Sequence, residues 1–171
     1  MKNYKKRIFD RILERKVLGK GAVLIEGPKW CGKTTTAKQL AKSLLDLGDS
    51  AVLKQSKQLI EISPKTLLEG ETPRLVDEWQ ALPPLWDSIR SEVDKRGEPS
   101  QFILTGSSVL PDAEETIHSG TGRFAFIKMR PMSLYESEES TGAVSLGDLF
   151  DGKPFEVTKN HLKIEDLTEQ R

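Results

Sequence analysis

The chain has one cysteine, two histidines and no net charge. A single cysteine excludes an intramolecular disulfide and a multi-cysteine metal site, and it favours a reducing compartment. His118 and His161 have no partners at metal or triad spacing, so neither carries a role. With 26 basic and 26 acidic side chains, no global electrostatic footprint for nucleic acid exists, and the basic start "KNYKKR" reads as a solvated helix start. No stretch approaches the roughly 20 apolar residues that span a bilayer. The first apolar positions, in "RIFDRILERK", are broken by charges, unlike a signal peptide. These absences set the expectation of a soluble cytoplasmic protein with no membrane partner. A length of 171 residues suits one domain with a core of its own.

What is there alternates between helix and strand signals. Ile8 and Ile12, with Phe9, Leu13 and Val17, recur at helical spacing over Lys5–Leu18, and Gly19 and Gly21 stop the pattern. "AVLIE" (22–26) reads as a buried strand. Lys33 to Leu47 reads as a helix with Leu40, Leu44 and Leu47 on one face, and "AVLK" (51–54) as a second short strand. Residues 55–72 are the least legible, with helical turns expected around Pro64. "PRLVDEW" (73–79), "QFILTGSS" (101–108) and "RFAFIKM" (123–129) read as further strands, and "PPLWDSIRSEVDKRG" as a helix opened by prolines and closed by Gly97. The alternation predicts an α/β fold with a parallel sheet covered on both faces.

The sharpest motif is Gly27-Pro28-Lys29-Trp30-Cys31-Gly32-Lys33-Thr34, which matches the phosphate-loop pattern G-x-x-x-x-G-K-[ST]. It follows a strand and opens a helix, as the pattern demands. Glycines let backbone N–H groups turn inward around phosphate oxygens. The following helix adds its positive end, Lys33 a charge for the terminal phosphates, and the Thr34 hydroxyl a ligand for Mg²⁺. Thr35 completes the expected binding stretch. Cys31 raises the alternative of a phosphatase nucleophile, but such enzymes need an arginine six positions on, and position 37 is alanine. Cys31 is thus a loop filler whose backbone N–H matters.

Binding alone is not hydrolysis. Asp77-Glu78 ends an apolar strand, where an aspartate would hold Mg²⁺ and an adjacent glutamate would deprotonate the attacking water. Thr105 and Ser107, at the end of "ILTGSS", would face the γ-phosphate. Arg123, after the glycines of "SGTGR", is a candidate for stabilising transition-state charge, in its own site or in a neighbour's.

These residues give the chain a resemblance. "YKKRIFDRILE", "GAVLIEGPKWCGKTTTAKQLAKS", "LLEGETPRLVDEWQ", "LWDSIRSEVDKRG", "QFILTGSS" and "HSGTGRFAFIKMRPMSLYESEESTG" resemble the N-terminal ATPase domain of prokaryotic P-loop ATP-binding proteins of the AAA+ type, over roughly residues 4–150. The resemblance implies a P-loop NTPase three-layer sandwich with a five-stranded parallel sheet in the order 5-1-4-3-2. It implies ATP and Mg²⁺ as ligands, a nucleotide loop at Gly27–Thr35, an acidic pair at Asp77-Glu78, a polar sensor at Thr105–Ser107 and a glycine–arginine step at Gly122-Arg123. Residues 1–20 would be a helix packing on the core, 21–135 the ATPase core, and 136–171 the start of a second domain that members usually carry. Members also show a longer, acidic turn after the second strand, which "AVLKQSKQ" lacks.

Three functions stay open on the sequence. The first is a Mg²⁺-dependent ATPase with an unknown partner, and with Arg123 as a route to homo-oligomers. The second is a small-molecule kinase, with Arg123 and Arg130 as lid candidates. The third is a nucleotide switch with little hydrolysis. GTP is disfavoured, since no N-K-x-D motif occurs.

Overall fold

The structure is a computed structural model that describes residues 4–106 and 122–154. Its contacts divide the chain into two units, Ile8–Pro131 and a smaller one made of Met1–Arg7 with Met132–Arg171.

The larger unit runs α1 (Ile8–Gly19), β1 (Ala22–Glu26), α2 (Lys33–Ala37), β2 (Ser43–Asp46), α3 (Ser50–Ile62), α4 (Pro64–Leu68), β3 (Arg74–Asp77), a 3-10 turn (Trp79–Ala81), α5 (Leu85–Arg96), β4 (Phe102–Gly106) and β5 (Phe124–Lys128). The five strands form one parallel sheet in the order β2-β3-β4-β1-β5, the expected order read from its other edge.

Side-chain alternation explains why this sheet has two cores. In β1, Val23 and Ile25 point to one face, and Ala22 and Leu24 to the other. The Val23–Ile25 face gathers Leu75, Ile103 and Ile127 with Leu13 and Val17 of α1 and Ala37 of α2. The opposite face gathers Val76, Phe102 and Leu104 under α4 and α5, which contribute Leu67, Leu68, Leu85, Ile89 and Val93. Trp86 of α5 stacks on Phe124 with ring centroids 4.3 Å apart. Strands buried on both faces read as continuous apolar runs, which is why they are legible in sequence. Glycine is required at two places. Gly97 closes α5 with φ +66°, and Gly21 passes so close to Val93 that a Cβ there would collide with it.

Around β2 the sequence reading is corrected. The helix expected over Lys33–Leu47 ends at Ala37, and the strand expected at Ala51–Lys54 lies inside α3. Leu40, Leu44 and Leu47 suggested one helical face, yet Leu40 packs in one core, Leu47 in the other, and Leu44 is exposed. The controlling pattern is the alternation of Leu45 and Leu47, fixed by pairing of Leu45 with Val76 and Asp46 with Asp77. Asp49 then starts α3, its carboxylate accepting from Ala51 N at 2.7 Å and Val52 N at 3.2 Å. With β2 at 43–46, the turn after the second strand is residues 47–49, and the segment "AVLKQSKQ" read for it on the sequence lies inside α3.

In the smaller unit, Arg7 and Glu136 form a buried ion pair at 3.0 Å. The second oxygen of Glu136 accepts from Ser133 N and Ser133 Oγ, both at 2.8 Å, so neither charge is left uncompensated. A short α6 (Leu146–Phe150) is capped by Ser145.

Candidate nucleotide site

All strands of a parallel sheet point the same way, so the loops after them share one edge. The loop after β1, the acidic pair at the end of β3 and the polar end of β4 therefore meet at the carboxyl edge of adjacent strands.

The loop between β1 and α2 is tightly built. Gly27 lies against the Met129 carbonyl oxygen, where a Cβ would collide, and 3.1 Å from Cys31 Sγ by the same measure. Gly32 has φ +97°, the left-handed region. Trp30 also has positive φ, at 62°, and its side chain is 99% exposed. Lys33 is buried, and its ammonium donates to Gly27 O and Pro28 O, both at 2.9 Å. Cys31 is buried, Pro28, Lys29 and Thr35 are exposed, and Thr35 accepts from Gln39 Nε2 through its carbonyl at 3.0 Å.

Asp77 is the junction of the site. Thr34 Oγ1 donates to its Oδ1 at 2.8 Å, and Thr105 Oγ1 donates to the same oxygen. Asp77 and Thr105 are buried and are register neighbours on β3 and β4. Glu78 follows in the left-handed conformation, φ 54° and ψ 44°, with its Cγ near Gly48 at the exit of β2. Its Oε2 accepts from Gln80 Nε2. The convergence of a hydroxyl and a carboxylate oxygen on one spot suits Mg²⁺, which takes oxygen ligands and keeps several waters beside phosphate.

The structure brings Lys33, Thr34, Asp77, Glu78 and Thr105 to one edge. Ser107 lies outside the described residues. Arg123 is not at that edge. Its carbonyl accepts from Ala22 N at 3.3 Å, at the start of β1, whereas the loop begins beyond the far end of that strand. Five strand residues span about 16 Å, so Arg123 does not reach its own chain's loop, which removes the same-chain option held open on the sequence. It pairs there with Asp94, whose hydrogen bond and charge hold the guanidinium pKa above its ordinary value. A groove of about 370 Å³ lies at this opposite edge, lined in part by Lys20, Asp94 and Arg123, remote from the loop.

Gln80 and the β2 exit, Asp46 and Gly48, are neighbours of the acidic pair that sequence reasoning missed. For Gln80 the signal was a polar residue set between Trp79 and Ala81, just after the pair.

A family model for an AAA domain matches residues 19–138. No curated protein matches the chain. Among the described residues, no helix is long and apolar enough to cross a membrane.

Proposed function

The chain belongs to the AAA domain family, whose function is nucleotide binding of the ATPase kind, and on that premise we propose that it is a Mg²⁺-dependent ATPase that releases ADP and phosphate. The observation that carries this reading is the meeting of Thr34 and Thr105 on one oxygen of Asp77, beside a loop whose lysine is already turned inward.

The backbone N–H groups of the Gly27–Thr35 loop, all but that of Pro28 which has none, hold the phosphates, and Lys33 adds charge at the terminal ones. Thr34 and Asp77 would hold Mg²⁺, which when bound would neutralise phosphate charge. Thr105, whose buried hydroxyl donates to Asp77, holds that carboxylate in place rather than facing the γ-phosphate as the sequence suggested. Glu78 takes the proton of the attacking water as the water oxygen bonds to the γ-phosphorus and the bond to the bridging oxygen breaks. Arg123, on the opposite edge, is placed to serve only a neighbouring copy's site.

A Mg·ATP turnover assay, run with and without candidate acceptors, tests the reading. Free phosphate supports it. A phosphorylated acceptor replaces it with a kinase, and tight binding without turnover replaces it with a nucleotide switch.

A further inference from the structure

Gln80 has no part in the mechanism above. It sits in the 3-10 turn Trp79–Ala81 directly after the acidic pair. The left-handed backbone of Glu78 reverses the chain there, a conformation that costs a non-glycine residue and tends to mark functional sites. The reversal carries the Gln80 side chain back onto Glu78, where its Nε2 donates to Oε2. The other end of the same amide packs on the exit of β4, since a Cβ on Gly106 would lie 2.5 Å from Gln80 Oε1 and 3.1 Å from Trp79 Nε1. Gly106 follows Thr105, whose hydroxyl holds Asp77. One amide therefore spans from the Glu78 carboxylate to the strand end that carries Thr105. The turn beneath it is anchored independently, because Trp79 is buried and lies 5.0 Å from the Trp86 ring.

An amide suits this place for a chemical reason. It donates to a carboxylate without bringing a positive charge that would compete with the work of a base. It also fixes one carboxylate oxygen and leaves the geometry of the other defined. We infer that Gln80 is the positioning residue of Glu78: its amide, packed against the end of β4, holds Oε2 and thereby aims Oε1 at the attacking water. This rests on the ATPase reading, with Glu78 as its base.

The experiment compares wild type, Gln80→Ala, Glu78→Gln and the double variant, each first checked for an unchanged melting temperature. Displacement of a base by about 1 Å can cost on the order of 10²-fold in rate. Gln80→Ala is therefore expected to lower kcat by at least about tenfold while KM for Mg·ATP stays within about twofold. In the Glu78→Gln background the same substitution should change residual turnover by less than about twofold, because the residue it acts through is already gone. An equal loss in both backgrounds, or a KM that rises in step, overturns the inference. A wild-type protein that binds Mg·ATP but releases no phosphate is a failure of the ATPase reading instead. The tether is then judged by the Gln80 side-chain amide resonance in NMR. A displacement on Glu78→Ala sustains it, and an unmoved resonance overturns it.

Discussion

On the ATPase reading, Lys33, Glu78 and Cys31 each give a separate test of the loop and its acidic neighbour. Lys33 spends its donors on loop carbonyls and touches little of the core, so Lys33→Ala should keep the fold and lose Mg·ATP binding, read by calorimetry. Unchanged affinity would sink the phosphate-loop assignment. Glu78→Gln keeps the shape and removes the base. It should retain ATP and lose turnover by roughly 10²–10⁴-fold, and a wild-type rate would move the water-activating role elsewhere. Cys31 is buried beside Gly27 in the wall of the loop. Alkylation of its thiol, timed with and without Mg·ATP, should slow when nucleotide is present, and equal rates would take Cys31 out of the occupied site. The loop and acidic pair were legible because each residue type there answers to a local chemical demand. The tether from Gln80 was not, because it depends on a left-handed turn at Glu78 that a sequence does not announce.

The elements that were read correctly are those whose signal is local: apolar runs for β1, β3, β4 and β5, and glycine stops for α1 and α5. β2 was missed because its identity is conferred by pairing with β3, a contact between segments about thirty residues apart. α2 stops at Ala37 although the residues after it, 38–47, are rich in the helix formers Lys, Gln, Ala and Leu, a tertiary override of propensity. The cap at Asp49 marks the true border between β2 and α3. Asp49→Ala removes the acceptor of two backbone N–H groups and should cost about 1 kcal/mol in urea unfolding. A variant as stable as wild type would mean that the start of α3 frays without penalty.

At the scale of the whole molecule, the nucleotide loop and Arg123 occupy opposite edges of one sheet. If a second copy supplies the arginine, Arg123→Ala mixed with Lys33→Ala should regain turnover, since each lacks what the other brings. Such an arginine can be worth roughly 10³–10⁵ in rate. A mixture that stays dead, with activity per molecule flat on dilution, removes Arg123 from catalysis. The sheet order was expected from family likeness, but the placement of Arg123 needed the register of β5 against β1. One earlier detail bears on how the molecule meets its ligand. The Lys33 ammonium braces the carbonyls of Gly27 and Pro28, so the loop carries internal support for its own form. Association is then a simple encounter, and in stopped flow the observed rate should climb linearly with Mg·ATP. A plateau would reveal a slow rearrangement that this brace makes unnecessary.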